Sequence, residues 1–277
     1  MDKFLTDVHN HSSFSYDGVN KLSEMLQCAQ EKGLAFYGVS EHVDFDICPE
    51  AQLVRKQEID AEEYFHTARH LQEDYAGCMN VLVGAELGYS SDTRVQERYL
   101  EFCKRYQPDF VVNSVHSKDG WDYSSKRAFY EGGVLRDKKA VYTEYFQAVK
   151  DSLDAPYPYD IVGHFCYVTR YGGYENSLAS LDEFGVEIDE VLRKIIRLGK
   201  ILEINTSTYG LKSLAVTSRE ILGRYFELGG RKVSFASDAH TVKRIADKRE
   251  QVVEMLKDIG FTFITVPCKG EHIQVEI

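Results

Sequence analysis

The feature that most constrains the fold of this chain is a regular alternation of short β-type runs with longer helical stretches. Runs rich in β-branched and aromatic residues predict strands at 4–10, 35–41, 80–87, 110–116, 160–165, 201–206 and 232–237. Helical periodicity predicts helices at 21–32, 60–76, 94–106, 139–153, 187–198, 217–228 and 244–259. A strand followed by a helix, seven times over, predicts parallel strands joined by right-handed crossovers.

The length of the chain fits one such unit. A single α/β barrel uses about 250 residues, so we expect the 277 residues to form one domain, 1–277. The run FTFITV at 261–266 predicts either an eighth strand or a closing edge. The segments 117–138 and 166–186 are too long for simple connections, and each follows a histidine. Connections of that length in a compact domain are usually functional.

Most of the histidines occupy one recurring place, at or just beyond the C-terminal end of a predicted strand. They are His9, His11, His42, His116, His164 and His240, and the carboxylates Glu86 and Asp238 take the same place. These strand ends meet on one face of a parallel barrel or sheet. A lone strand-end histidine is ordinarily a hydrogen-bonded core residue, but imidazoles and carboxylates gathered together suit Zn, Mn or Fe(II). Because side chains alternate along a strand, His9 and His11 point the same way.

His66 and His70 form a different pattern, four residues apart on the predicted helix 60–76. Thr67 stands where a helical zinc motif would carry glutamate. The helix has an apolar stripe that can pack against the rest of the protein without the histidines. We therefore interpret both histidines as solvent-facing. His272 is interpreted as an ordinary surface or edge residue.

Composition excludes several classes of function. The 33 Lys and Arg against 44 Asp and Glu give a net charge of −11, which opposes nucleic acid or anionic lipid as the main partner. Neither a signal peptide nor a membrane-spanning run is recognisable, so a cytoplasmic protein is expected. Six cysteines without C-x-x-C spacing predict reduced thiols. Motifs for a dinucleotide site, a P-loop and a serine nucleophile elbow are not found.

Six motifs together resemble the polymerase and histidinol phosphatase (PHP) superfamily. They are DVHNHSSFSYDG (7–18), VSEH (39–42), GAELG (84–88), NSVHS (113–117), GHF (163–165) and SDAH (237–240). Within it, the loops VHSKDGW (115–121) and HFCYVTRYGG (164–173) look most like the monofunctional histidinol-phosphate phosphatases.

The resemblance implies an α/β fold, a distorted (β/α)7 TIM-like barrel with the metal site at the strand C-termini, and three divalent metal ions (Zn, Mn or Fe). Carried over by position, the ligands of the first ion are His9, His11, Glu86 and Asp238. Those of the second are Glu86, His116 and His164, and those of the third are Asp17, His42 and His240. The position of Asp17 can be histidine in the superfamily, and Asp17 before Gly18 also fits a turn.

Such a ligand set predicts a metal-bridging hydroxide that attacks phosphorus, with Asp238 and His42 as catalytic residues. Asp238 could accept a proton from the water or serve only as a ligand. Arg170 is predicted to bind the phosphate, its alternative being an unspecific loop side chain. Trp121, with Tyr167, Tyr171 and Tyr174 on the same two loops, would offer an aromatic wall to an imidazole.

The resulting prediction is a phosphomonoesterase that hydrolyses L-histidinol phosphate to L-histidinol and phosphate in histidine biosynthesis. Its partner is a small-molecule phosphate ester, with no nucleic acid and no membrane, and the oligomeric state is left open. A PHP-type nuclease or nucleotide phosphatase is the alternative, disfavoured because no basic stripe is present. A non-catalytic metal-stabilised domain and an amidohydrolase-type barrel rank lower, since all nine ligand positions are filled and Glu86 stands where a modified lysine would bridge.

Overall fold

The computed structural model describes residues 6–45, 58–118 and 121–277. Seven parallel strands form its sheet: β1 (Thr6–Asp7), β2 (Phe36–Val43), β3 (Asn80–Gly88), β4 (Val111–Ser114), β5 (Ile161–Val162), β6 (Ile201–Asn205) and β7 (Val233–Ala236). The helices are α1 (Leu22–Glu31), α2 (Ala61–Asp74), α3 (Thr93–Tyr106), α4 (Lys138–Ser152), α5 (Leu181–Leu198), α6 (Arg219–Glu227) and α7 (Arg249–Ile259). The seven strands follow one another in chain order, as the alternation predicts.

The sheet closes on itself between its first and last strands. The Val8 amide donates to Phe235 O at 3.3 Å, and the Asp238 amide donates to His9 O at 3.0 Å. An isolated parallel bridge joins Asn10 to Ala239 just beyond these strands. The predicted distorted (β/α)7 barrel is therefore confirmed. Residues 4 and 5 of the first predicted strand lie outside the described residues, as does Cys48; the five cysteines that the structure describes are free.

The side chains inside the barrel change from apolar to polar along each strand. On β3 the inward series is Leu82, Gly84 and Glu86, and on β6 it is Ile201, Glu203 and Asn205. Phe110 fills the space beside Gly84, where an added Cβ would come within 2.4 Å of its ring. The lower half of the barrel is thus a packed core, and the polar residues are collected at the C-terminal ends.

The last predicted strand does not join the barrel. Phe263–Cys268 (β8) pairs antiparallel with Glu271–Glu276 (β9). Val266 of this hairpin is fully buried with the inward residues Val8, Leu82 and Ile161. The hairpin therefore covers the barrel from outside the parallel ladder, which corresponds to the closing-edge alternative.

Two helix boundaries differ from the prediction by more than two residues. α5 begins six residues earlier than expected, at Leu181, because a short helical turn precedes the predicted helix and joins it across a kink at Phe184 (φ −132°). α7 begins at Arg249 instead of 244, since Ala246 (φ 57°) and Lys248 (φ 59°) are left-handed and interrupt helical geometry. Among the described residues, every helix is too short or too polar to cross a membrane.

Candidate metal centre

The residues predicted as ligands converge at the C-terminal mouth of the barrel. His42 and Glu86 are in β2 and β3, His116 and His164 follow β4 and β5 by two residues, and Asp238 follows β7 by two. His9 and His11 follow β1, Asp17 lies between β1 and α1, and His240 lies beyond Asp238. All except Asp17 are buried or nearly so; Asp17 is 40% exposed.

Glu86 is the centre of this cluster, and its Oε2 atom faces three imidazoles. It lies 2.8 Å from His42 Nδ1, 3.3 Å from His9 Nε2 and 3.5 Å from His11 Nε2. Oε2 and His42 Nδ1 are nevertheless not aligned as a hydrogen bond, and neither atom has a hydrogen-bond partner among the described residues. The arrangement of this oxygen and the three nitrogens resembles that of ligands around a cation more than that of hydrogen-bond donors and acceptors.

The Oε1 atom of Glu86 faces two further imidazoles. His164 Nε2 lies at 2.9 Å and His116 Nε2 at 3.1 Å, and the two Nε2 atoms are 3.1 Å apart. Burial alone would raise the pKa of Glu86, but the imidazoles of His9, His116 and His42 outweigh it and hold this pKa well below its usual range. Glu86 is therefore an ionised carboxylate with both oxygens directed into the cluster.

Asp238 forms the β7 side of the cluster. Its Oδ1 atom lies 3.5 Å from His11 Nε2 and 3.6 Å from His240 Nδ1. Its backbone is left-handed (φ 51°), a conformation that costs a non-glycine residue about 1–2 kcal/mol. The charges of His9 and Arg170 outweigh burial and lower the pKa of Asp238, which is ionised at neutral pH.

Asp17 joins the two outermost imidazoles. Its Oδ1 atom lies 3.3 Å from His240 Nε2 and 3.6 Å from His42 Nε2. The His11 ring stacks against both of these rings, with centroids 4.1 Å from His42 and 4.3 Å from His240, which are themselves 5.7 Å apart. The turn at Asp17–Gly18 thus carries a carboxylate to the cluster, so the turn and ligand interpretations of Asp17 are compatible.

The donor atoms fit divalent cations. Three groups have ligand atoms within 4.8 Å of one another, namely His9–His11–Asp238, His42–Glu86–His116 and His11–His42–His240. His9 Nε2 and His11 Nε2 also face each other at 3.1 Å. Several acceptor-type atoms at such distances are expected around a cation. The groups overlap with the predicted sets but divide them differently, since His11 and His42 each occur in two.

Two buried carboxylates that sequence reasoning missed hold the outer nitrogens of the imidazoles. His9 Nδ1 donates to Glu203 Oε1 at 2.6 Å, and Glu203 Oε2 accepts the His164 amide at 2.7 Å. His116 Nδ1 donates to Asp44 Oδ1 at 3.0 Å. These bonds fix the rings with Nε2 facing the cluster and make them better ligands. A charged residue within the buried strand ILEIN could have revealed Glu203; Asp44 had only its closeness to His42 as a signal.

Arg170 lies at the edge of the same cluster, at the end of a short 3₁₀ turn. Its Nη2 atom donates to Asn205 Oδ1 at 2.8 Å and to Asp238 Oδ2 at 3.1 Å. The side chain is only 3% exposed, so the alternative of an exposed loop arginine is wrong. Its Nε atom is buried with no hydrogen-bond partner in the described part of the chain. A buried guanidinium with a spare donor is suited to an anion.

Aromatic rings border the cluster on the Arg170 side. The Tyr167 ring centroid lies 4.7 Å from that of His164, and Tyr171 follows at 5.5 Å from Tyr167. Tyr209, which the sequence did not single out, lies 5.8 Å from Tyr171. Tyr174 packs elsewhere, against Phe129 and Tyr142. Of the three predicted loop tyrosines, Tyr167 therefore contacts a predicted ligand and Tyr171 packs against Tyr167, while a further ring comes from the loop after β6.

Comparison with known proteins places this barrel in a family. The model of the PHP domain matches residues 7–207. The chain belongs to the PHP domain family. This match contains Glu86 and six of the other predicted metal ligands, whereas Asp238 and His240 lie beyond it.

Curated relatives of this PHP protein are named as histidinol-phosphatases or probable histidinol-phosphatases. The histidinol-phosphatase of Lactococcus lactis is 27% identical over 255 residues, which cover 92% of this chain and 91% of the relative. The probable histidinol-phosphatase of Clostridium acetobutylicum is 28% identical over 234 residues, covering 84% and 86%.

A solved structure matches the fold closely. It is histidinol phosphate phosphatase from Lactococcus lactis in complex with zinc, L-histidinol and phosphate. The TM-score is 0.85 at 24% identity, with 97% of this chain and 98% of the other covered.

Trp121 lies in another part of the PHP barrel's mouth. The guanidinium carbon of Arg127 is 4.0 Å from the centroid of its ring. Trp121 lines a cleft of about 320 Å³ together with Arg136 and Glu144, and this cleft includes none of the predicted metal ligands. The indole therefore packs against Arg127 of its own loop and faces a cleft separate from the predicted ligands.

The remaining histidines lie away from the centre. His66 and His70 are exposed on α2, as predicted, with ring centroids 5.0 Å apart. His272 is on the hairpin strand β9, where Lys232 Nζ lies 2.9 Å from its Nδ1.

Proposed function

We propose that this PHP protein is a metal-dependent phosphomonoesterase that hydrolyses L-histidinol phosphate to L-histidinol and phosphate. One observation carries the proposal. A single buried carboxylate is approached within 3.5 Å by five imidazoles: those of His9, His11, His42, His116 and His164. The relatives' names supply the substrate.

We propose three divalent ions, of Zn, Mn or Fe, held by the ligand sets that the family resemblance implies. His9, His11, Glu86 and Asp238 would hold the first, Glu86, His116 and His164 the second, and Asp17, His42 and His240 the third. When bound, such ions acidify coordinated water and polarise phosphoryl oxygens. Glu203 and Asp44 hold the Nδ1 protons of His9 and His116, so that Nε2 would be the nitrogen directed at the ions.

Asp238 is proposed to accept a proton from the attacking water. Its Oδ1 atom faces the centre, while Oδ2 is held by Arg170 and by Asn205 Nδ2 at 3.2 Å. Oδ2 is therefore fixed by the Asn205 amide and the Arg170 guanidinium, whereas Oδ1 is the oxygen proposed to accept the proton. His42, which lies between Glu86 at 2.8 Å and Asp17 at 3.6 Å, is proposed to contact the phosphoryl group.

Arg170 is proposed to bind the phosphoryl group through the donors that Asn205 and Asp238 leave unused. A guanidinium held in this way is pre-organised, and the charge of the phosphate increases as the ester bond breaks. Tyr167 and Tyr171 would contact the imidazole of the leaving group, since aromatic faces stack on such rings. Trp121 remains a proposed substrate contact at the outer part of the same mouth.

The test is a comparison of steady-state rates on metal-analysed protein. L-Histidinol phosphate is measured beside a phosphomonoester panel, a nucleotide and a phosphodiester. The expected result is the highest kcat/KM on L-histidinol phosphate, with activity lost in Glu86→Gln and retained in His66→Gln. Preference for the nucleotide or the phosphodiester would support the alternative activity, and no hydrolysis by metal-replete protein would favour a non-catalytic domain.

A further inference from the structure

A cleft of about 530 Å³ opens beside the metal centre on its β7 side. Asp238 and His240 form its inner wall. Its other walls come from the loop after β6 and the segment before α7, and include Ser207, Thr208, Tyr209, Arg244 and Lys248. A ligand at the metal centre can therefore extend into a space with hydroxyls and two cationic side chains.

Lys248 supplies a positive charge that the protein does not neutralise. Its Nζ atom donates to Thr208 Oγ1 at 3.2 Å. Among the described residues, no carboxylate lies within ion-pair distance of it. Arg244, by contrast, pairs with Asp247 and donates to Thr206 O at 3.4 Å. In a chain with a net charge of −11, an unpaired and half-buried ammonium beside the centre favours an anion.

The backbone around this cleft is strained. Six non-glycine residues have positive φ in the described part of the chain, and three of them line the cleft: Tyr209 (φ 46°), Asp238 (φ 51°) and Lys248 (φ 59°). The neighbouring left-handed residue Ala246 is anchored through its amide to buried Asp7 Oδ2 at 2.8 Å. Strain of this kind persists only where surrounding contacts fix it, and it concentrates at ligand sites.

We propose that this cleft is an oxyanion subsite, in which Lys248 and the hydroxyl of Thr208 bind a carboxylate or second phosphate carried by the leaving group of a phosphate ester. The inference rests on the proposed phosphomonoesterase activity and extends it to anionic leaving groups. The reaction is unchanged: water oxygen bonds to phosphorus, the ester P–O bond breaks, and the departing alkoxide takes up a proton. A cationic leaving group such as histidinol is repelled here and lies on the tyrosine side.

Two probes that differ at one carbon test the subsite. 3-Phosphoglycerate carries a carboxylate where glycerol 3-phosphate carries a hydroxymethyl group. We expect the wild-type enzyme to favour 3-phosphoglycerate by about tenfold in kcat/KM, as one partly exposed charge-assisted hydrogen bond would give. Lys248→Gln should abolish that ratio and Lys248→Arg should restore most of it. Lys257→Gln, an exposed lysine of the helix α7 that follows Lys248, is the matched control and should keep the wild-type ratio.

Other outcomes overturn the proposal. A wild-type ratio near one, or a ratio unchanged in Lys248→Gln, would mean that Lys248 in this cleft does not discriminate between anionic and neutral leaving groups. An equal fall on both probes would place Lys248 at the phosphoryl group they share. L-Histidinol phosphate is measured in parallel: if it is not hydrolysed while the probe ratio behaves as expected, the proposed substrate is wrong and the subsite stands.

Discussion

Replacing Arg170 separates phosphate binding from metal assembly. In Arg170→Ala the phosphoryl group loses its proposed guanidinium partner, while Asp238 Oδ2 keeps the Asn205 amide at 3.2 Å. The expected result is unchanged metal content and a fall in kcat/KM of about 100-fold. A hydrogen bond to a charged group contributes about 1.5–3 kcal/mol, and a factor of 100 corresponds to about 2.7 kcal/mol, near the upper end.

The conservative variant refines this prediction. Arg170→Lys keeps the charge but not the planar fork that donates to Asn205, Asp238 and the phosphate together, so it should recover only about tenfold. The assay is steady-state hydrolysis of L-histidinol phosphate with inhibition by inorganic phosphate, next to elemental analysis of the same samples. Arg224→Ala is the control: it removes a bidentate pair with Asp189 between α5 and α6 and should leave kcat/KM unchanged.

Two results would refute the reasoning. Wild-type kinetics in Arg170→Ala would mean that the ions and other donors bind the phosphate. Loss of metal together with activity would mean that Arg170 acts by holding Asp238. That second pattern is the one expected for His164→Ala, whose Nε2 atom lies 2.9 Å from Glu86.

Three further predictions concern the metals and the nucleophile. Glu86→Ala should lose more metal than His66→Ala by elemental analysis, and equal loss would show that the helical histidine pair was wrongly dismissed. Single-turnover hydrolysis in oxygen-18 water should label the released phosphate, with no phosphoenzyme after acid quench; a stable phosphohistidine would contradict this. Although burial opposes it, nearby carboxylates raise the pKa of His116 to about 10 and that of His240 to about 9 in the metal-free protein. Both should therefore be protonated at pH 7, and, again against the effect of burial, the carboxylates of Glu203 and Glu86 also raise the pKa of His9. Metal uptake should therefore release at least two protons and tighten as pH rises; calorimetry in buffers of different ionisation enthalpy measures this, and zero release would refute it.

The sequence predicted the barrel and the location of the cluster because both depend on local periodicity. An inward position recurs every second residue, so Leu82, Gly84 and Glu86 share a face whatever the rest of the chain does. Parallel strands then bring their C-terminal ends together. Strand-end residues are therefore neighbours even when, like His9 and Asp238, they are far apart in the chain.

What the sequence did not predict depends on contacts between segments. Asp44 reaches His116 across β3, in space that Gly88 leaves open: a Cβ there would lie 1.8 Å from Asp44 Oδ1. No pattern near either residue encodes that approach. The burial of Arg170 is a similar case, because a loop arginine becomes internal only when Asn205 and Asp238 close around it.

The hairpin at the end of the chain illustrates a different limit. FTFITV has the composition of a barrel strand, but pairing is decided by the partner that is available. The turn at Lys269 (φ 51°) and Gly270 (φ 83°) brings Glu271–Glu276 back alongside it, and a two-residue hairpin forms with far less loss of chain entropy than insertion into a parallel ladder. His272, interpreted as a surface or edge residue, lies on the strand that follows this turn.

The polar end of the barrel also links activity to stability. Glu86, Glu203 and Asp238 are ionised and almost fully buried, and like nitrogen atoms of His116 and His164 approach to 3.1 Å. Such an arrangement costs the metal-free fold several kcal/mol in desolvation that hydrogen bonds only partly return. Ligands that bind only the folded state stabilise it by about 4 kcal/mol at a thousand times their dissociation constant. Binding of cations would therefore stabilise the imidazole–carboxylate cluster. Asp44 and Glu203 fix the orientation of its imidazoles and so make that binding more favourable.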